Sequence, residues 1–403
     1  MKLNNNFSLT GWMQGDPGIW MVFVLFCMIS LVEVYSASST MSFGSKSSYW
    51  EPIVYHGGYW AAGIVLTWLS SRIPCNKYKI LGTAGFFLAI ALQIIAFFSG
   101  KINGAGRWIR LGFITFQPSE LTKLALITFV AFIYASSRDE KGVRNIAVKI
   151  AAVALTIVMI LIAPENLSTA GIIFMIIFGM SFYAQVRAKI LAIVAAGLIA
   201  IGVSGLAFAY SIPEHTLNEW SQTDGKFLHR LPTWVHRITD KNELPADPKD
   251  YDITDNIQVT HARIAVATSH GIGKGPGKSR QRDYLPQAYS DFIYAIIIEE
   301  MGLAGGVAVM FLYFFFMWRC MKIASRCKSY FPSFLVMGLA LMIVMQALVN
   351  MAVASGAFPV TGQPLPLISR GGTSTLVNCI CVGMILSVSR TAKKVDGADS
   401  EVK

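Results

Sequence analysis

Residues 188–210 read AKILAIVAAGLIAIGVSGLAFAY, with one charge, Lys189, at the start and none after it. At a rise of about 1.5 Å per residue, a helix of this length crosses a hydrocarbon layer about 30 Å thick. In water it would have no polar face to present. Comparable runs lie near 18–38, 54–71, 79–98, 117–136, 147–163, 169–184, 291–318, 332–354 and 373–389. Only helices and closed barrels satisfy backbone N–H and C=O groups in lipid, so these runs are read as helices, ten in all. Pro164, Glu165 and Asn166 supply the polar turn between two of them. The expected fold is an all-α integral membrane protein. It forms a single polytopic domain over residues 1–403, with about ten transmembrane helices and one long extracytoplasmic loop over 211–290.

The composition of the whole chain agrees. Of 403 residues, 54% are hydrophobic and 14% charged, against roughly a quarter charged in ordinary soluble domains, and the mean hydropathy is +0.52. A soluble fold is excluded. The formal net charge of +11 is explained by topology: 18 Lys and Arg fall on one side of the ten runs and 5 in the short loops of the other. Basic loops stay in the cytoplasm, so both termini are expected there and nucleic acid is not a partner. The first eighteen residues lack a basic n-region, so the first run is read as an uncleaved span. Six cysteines in spans or cytoplasmic loops argue for thiols.

Within the long loop, residues 256–267 read as a short helix lying on the membrane surface through Ile257, Ile264 and Ala267 or Val266, stopped by Gly271. The following His270 to Ser279 is rich in Gly and Lys but fits no nucleotide template. A P-loop ending at Gly277-Lys278-Ser279 needs Gly where Ile272 stands, and a dinucleotide fingerprint needs Gly where Lys274 stands. It is read as a flexible cationic loop whose N–H groups could approach an anion. The six histidines form no ligand spacing and are read as solvated loop residues; no metal site is expected.

Ionisable groups inside spans cost roughly 2.5–3.5 kcal/mol each at a helix centre and are functional candidates. Glu120 and Lys123, three apart, share a helix face and can pair with one another or meet a substrate. Glu33 reads as a local hydrogen-bond partner. Of Glu299 and Glu300, at least one must face the interior. Asp291 opens an apolar run, and is either an N-cap or a carboxylate held at a membrane-edge cavity, where desolvation favours a base. Arg107 beside Trp108 suits an interfacial phosphate or plain anchoring. Residues 359–374, rich in Pro and Gly, read as a re-entrant segment that must line a cavity or be buried in protein.

Taken together, Arg107-Trp108-Ile109 with Gln117-Pro118-Ser119-Glu120-Leu121-Thr122-Lys123, Asp291-Phe292-Ile293-Tyr294-Ala295 with Glu299-Glu300-Met301-Gly302, and Pro364-Leu365-Pro366-Leu367-Ile368-Ser369 with Gly371-Gly372 resemble the SEDS family of FtsW, RodA and SpoVE-type proteins. The resemblance runs in order along nearly the whole chain. Asn350-Met351-Ala352-Val353 followed by residues 358–366 looks closer to the FtsW than to the RodA type. The resemblance implies a peptidoglycan glycosyltransferase that polymerises lipid II at the outer face of the cytoplasmic (inner) membrane during division. Its partners would be a class B penicillin-binding transpeptidase, other division proteins and membrane lipid. It implies Asp291 as the catalytic carboxylate and Arg107, Glu120, Lys123 and Ser369 as substrate-binding residues, to which Arg370 is added as a further cation for the phosphates. A divalent cation could share the task of neutralising the pyrophosphate. A lipid II flippase that uses Glu33, Glu120 and Lys123 as a polar path, a RodA-like elongation polymerase and a recruiting scaffold are the alternatives. Three positions depart from the family pattern: Arg370 stands for an aromatic residue, Glu165-Asn166-Leu167-Ser168-Thr169 for a Pro-Asp-Leu-Gly-Thr turn, and Ile298 for a Gly.

Overall fold

The computed structural model describes residues 14–38, 51–98, 108–111, 114–140, 142–213, 257–269, 271–285 and 289–400, with the single positions 216, 220 and 235. Ten long helices lie where the apolar runs were read: α1 Pro17–Ser38, α2 Glu51–Arg72, α3 Lys77–Phe98, α4 Pro118–Ser136, α5 Asn145–Ile162, α6 Leu167–Tyr183, α7 Ala188–Ser211, then, after the short α8 Ile257–Ala267, α9 Ile293–Ser325, α10 Tyr330–Ala354 and α11 Gly372–Ser400. Eight of the ten are long and apolar enough to cross a membrane. The other two are α6, which has 17 residues, and α2, so the count of ten is carried by eight. The fold is all-helical except for two hairpins the sequence reading omitted, β1 Ile109–Leu111 with β2 Ile114–Phe116 and β3 Arg138–Asp139 with β4 Gly142–Val143.

The bundle is apolar outside as well as inside. The centre is α10 and α4, which pack on each other, while α3 also packs on α4, and α6 and α9 on α10. Buried positions on α10 run along nearly its whole length and include the polar Gln346 and Asn350. Large apolar side chains crowd the outside: Ile80 is 75% exposed and Phe98 80%. On α7 no described residue is buried. A helix apolar on every side with no protein cover requires lipid as its solvent. The molecule is a multi-pass membrane protein.

Two irregular segments depart from the sequence reading. The run 291–318 is not one continuous helix, because Gly302 sits at φ +74° and ψ 179° and splits α9. The cause lies across the gap. A Cβ on Gly302 would come 2.4 Å from the Gly271 carbonyl oxygen, and one on Gly273 would come 2.2 Å from the Gly302 nitrogen, so two glycines allow two backbones to touch. Residues 271–285 are accordingly held, not flexible. α8 does form, but the positions it buries are Thr260, Ala262 and Ala265 instead of Ile264 and Ala267. It packs on α9 and α10. The re-entrant segment is buried in protein: Leu365, Leu367 and Ile368 are each at most 2% exposed. Leu367 adopts φ +63°, a conformation a branched side chain tolerates only where its surroundings fix it.

Candidate functional site

Asp291 lies in the turn before α9 and is half-buried. It does not cap that helix, whose N-cap is Phe292 without a side-chain cap bond. Its Oδ1 accepts a hydrogen bond from the Ser290 hydroxyl at 2.9 Å, and its Oδ2 faces the bare Cα of Gly362, where a Cβ would sit 3.6 Å away. The peptide around it is pinned from two sides. The Asn350 side-chain amide donates to the Asp291 carbonyl at 2.9 Å and to the Gln363 carbonyl at 2.7 Å. The Ser369 hydroxyl accepts from the Leu365 N–H at 2.7 Å and donates to the Ser290 carbonyl at 2.6 Å. Ser369 thus fastens the re-entrant segment to the Asp291 turn.

Arg370 extends the same seam. Its N–H donates to the Tyr289 carbonyl at 2.9 Å, and its guanidinium carbon lies 5.2 Å from the Tyr289 ring centroid, a cation–π distance. Where the family pattern has an aromatic residue, Arg370 thus lies against the ring of Tyr289. The departure at residues 165–169 is also absorbed. Asn166 caps α6 by accepting from the Thr169 N–H at 3.1 Å, as the family's Asp would, and the Thr169 hydroxyl accepts from the Gln363 side chain at 2.9 Å.

Glu120 and Lys123 pair at 2.8 Å with side chains 3% and 0% exposed. The Lys123 ammonium also donates to Gln346 Oε1 at 3.0 Å, and Gln346 in turn donates to the Pro364 carbonyl at 3.3 Å. Between the two openings left by the sequence, pairing and substrate contact, this conformation takes pairing. A phosphate could reach Lys123 only by displacing Glu120 or Gln346. Arg107 lies outside the described residues; its neighbour Trp108 is half-buried beside β1.

What joins these residues is one face of α10. Gln346 and Asn350 are one turn apart, about 6 Å along the axis, so Lys123 and the Asp291 peptide are anchored to neighbouring rungs of a single helix. Gln346 was missed by the sequence reading. The signal was present: an i,i+4 polar pair inside an otherwise apolar helix, which lipid cannot solvate. Several buried polar atoms here have no hydrogen-bond partner among the described residues, namely Glu120 Oε2, Ser119 Oγ, Asn350 Oδ1, Gln363 Oε1 and Thr361 Oγ1. Unsatisfied groups in such number are costly in a folded interior and suit a site that takes up a polar ligand.

The remaining candidates sit apart. Glu299 and Glu300, both 0% exposed, receive the donors of residues 274–282. Glu299 binds Lys274 Nζ at 2.5 Å, the Ser279 hydroxyl, and the N–H groups of Arg280 and Gln281 at 3.2 Å. Glu300 binds the Ser36 hydroxyl and the N–H groups of Gly277 at 2.9 Å and Ser279 at 3.3 Å. The anion that the Gly-rich loop approaches is the protein's own. Glu33 is 0% exposed, and neither carboxylate oxygen has a hydrogen-bond partner among the described residues, where the sequence reading expected a local one. His56, read as a solvated loop residue, is buried on α2 at 2.8 Å from Ser30 Oγ, whose hydroxyl donates to the Ile368 carbonyl at 2.6 Å.

The family model described as "Cell cycle protein", for FtsW, RodA and SpoVE, matches residues 17–394. The chain belongs to this family. Relatives along its length include "Probable peptidoglycan glycosyltransferase FtsW" of Haemophilus influenzae, 30% identical over 382 residues that cover 93% of this chain and 90% of the relative. The protein of the same name from Nitrosococcus halophilus is 29% identical over 385 residues, 93% of this chain and 92% of the relative. Among solved structures, a chain from "Structural coordination of polymerization and crosslinking by a peptidoglycan synthase complex" superposes with a TM-score of 0.73 at 21% identity, over 94% of this chain and 99% of that one. The rod shape determining protein RodA of Thermus thermophilus gives 0.65 at 21% identity, over 94% and 98%. These two establish a shared fold.

Proposed function

We propose that this protein is a peptidoglycan glycosyltransferase that polymerises lipid II at the outer face of the cytoplasmic membrane during division, with Asp291 as its general base. Family membership and the names of its relatives support the activity. The observation that carries the residue is the double anchoring of the Asp291 turn, by Asn350 of α10 and Ser369 of the re-entrant segment, with one carboxylate oxygen facing a glycine.

The reaction joins the C1 of one sugar to the 4-hydroxyl oxygen of another and releases a polyprenyl pyrophosphate. Asp291 accepts the hydroxyl proton as the oxygen attacks, an assistance worth about 10² to 10⁴ in rate. One carboxylate suffices. A glycosidase needs a second as acid because an alkoxide leaves poorly, whereas a pyrophosphate leaves without a proton if cations neutralise it. Arg107 and Arg370 are the cations proposed for that role, with Lys123 joining once freed from Glu120 and Gln346. Among the described residues no three of His, Cys, Asp or Glu come together as metal ligands; a divalent cation, if the reaction uses one, would share with these cations the task of neutralising the leaving group. A class B transpeptidase as partner, cytoplasmic termini and the inner membrane complete the reading.

Purified protein given lipid II, alone and with a transpeptidase, should yield glycan strands, and Asp291→Asn should make them about 10² to 10⁴ more slowly while keeping the thermal transition of the wild type. Normal polymer from the variant would reject Asp291. Lipid translocation without polymer from the wild type would reject the polymerase and favour a flippase.

A further inference from the structure

A second feature lies on the lipid-facing side of the bundle, toward the end of α4 remote from Glu120. α3 and α5 both pack on α4 and only lightly on each other, and between them runs an open groove of about 300 Å3. Its floor is Phe129 of α4, stacked on Phe86 of α3 with ring centroids 4.6 Å apart and planes at 6°. Its walls include Phe87, Val153 and Ile157, which are 64%, 60% and 40% exposed. Lys149 of α5 stands at one end. It is exposed and has no ion-pair or hydrogen-bond partner among the described residues, since Asp139 of the preceding hairpin is taken by Arg144 at 2.6 Å.

We propose that this groove holds one acyl chain of an anionic phospholipid, with its phosphate on Lys149. A wall this apolar selects hydrocarbon, and an exposed cation at one end, without a partner among the described residues, selects a negative head group. From Lys149 to Ile157 the groove runs about 12 Å, most of one leaflet of a core about 30 Å thick. Direction excludes the polymerisation substrate as occupant. Lys149 follows the end of α4, whereas Glu120, Lys123 and the Asp291 turn lie at its start, so the head group of a chain seated here points away from that cluster. The inference is independent of the role given to Asp291.

The test uses the full chain in phosphatidylcholine nanodiscs with trace phospholipid bearing a photoactivatable acyl chain, either as phosphatidylglycerol or as phosphatidylcholine. The phosphatidylglycerol probe should label residues 149–157 and the Phe86–Phe87 peptide about fivefold more, the effect of one Lys near an anionic head group. Lys149→Glu should abolish that preference and Lys149→Arg keep it. Val153→Trp, on an exposed wall that tolerates bulk, should lower labelling by both probes. Equal labelling of the wild type by both probes, or a preference that survives Lys149→Glu, overturns the proposal. Displacement of the probe by polyprenyl pyrophosphate but not by unlabelled phosphatidylglycerol overturns it in favour of a substrate groove.

Discussion

Two regions of this bundle bury charge, and they do it in opposite ways. Around Glu299 and Glu300 every carboxylate oxygen meets donors from residues 274–282 or Ser36. Around Asp291, Asn350 and Glu120 the backbone is fastened but polar atoms are left over: Glu120 Oε2, Asn350 Oδ1, Gln363 Oε1 and Thr361 Oγ1 have no partner among the described residues. A saturated carboxylate is a structural tie. A fastened backbone with spare polar valences is a frame built for something else to complete. The motifs Glu299-Glu300 and Asp291-Phe292 stand side by side in the sequence and fall into different roles for this reason.

The comparison can be broken most directly at Asp291. Asp291→Asn should cut polymerisation by about 10² to 10⁴, the usual worth of a general base, with no change in melting temperature; a fall in both together would make Asp291 another tie. Glu299→Ala should do the reverse. It strands Lys274 and three other donors, so a loss of about 3 kcal/mol is expected, read as a lower thermal transition and as proteolysis within residues 271–285. Activity per folded molecule should survive, and a stable but inactive Glu299→Ala protein would erase the distinction drawn here.

Asn350→Leu tests the frame itself. It removes the amide that holds the Asp291 and Gln363 carbonyls while keeping the helix apolar. A misplaced base about 1 Å out of position costs on the order of 10² in rate, so kcat should fall by that order with KM little changed, while the two stranded carbonyls lower the melting temperature. A rise in KM at constant kcat would assign Asn350 to substrate binding. The smallest effect is expected at Glu33. A buried carboxylate without a partner costs stability, so Glu33→Gln should raise the melting temperature slightly, by about 1 kcal/mol equivalent. A marked loss instead would mean that Glu33 has a partner in the working protein.

Much of the fold was legible in advance because lipid leaves the backbone so few choices. The runs at 18–38, 332–354 and 373–389 became α1, α10 and α11 within a few residues at their N-terminal ends, since bilayer thickness and the polarity of flanking loops mark where an apolar run begins. The break at Gly302 was not legible. Nothing in Met301-Gly302-Leu303 announces it, because it depends on Gly273 from a loop 29 positions earlier approaching the same backbone. The burial of His56 was hidden likewise: its position in sequence gave no hint of Ser30 and Ile368, which lie on other elements.

The site divides along the same line. Glu120 and Lys123 are three apart, and helical geometry alone puts them on one face, so their pairing could be read directly. That Lys123 also bonds Gln346, or that Asn350 reaches both Asp291 and Gln363, links residues separated by tens to hundreds of positions, and no periodicity encodes such contacts. The sequence by itself determined that this chain lives in a membrane, where its helices run and which carboxylates would be costly to bury, because hydrophobicity and length are local properties. Which of those carboxylates became a tie was decided only by tertiary packing, because a buried charge takes its role from the donors that distant segments bring to it.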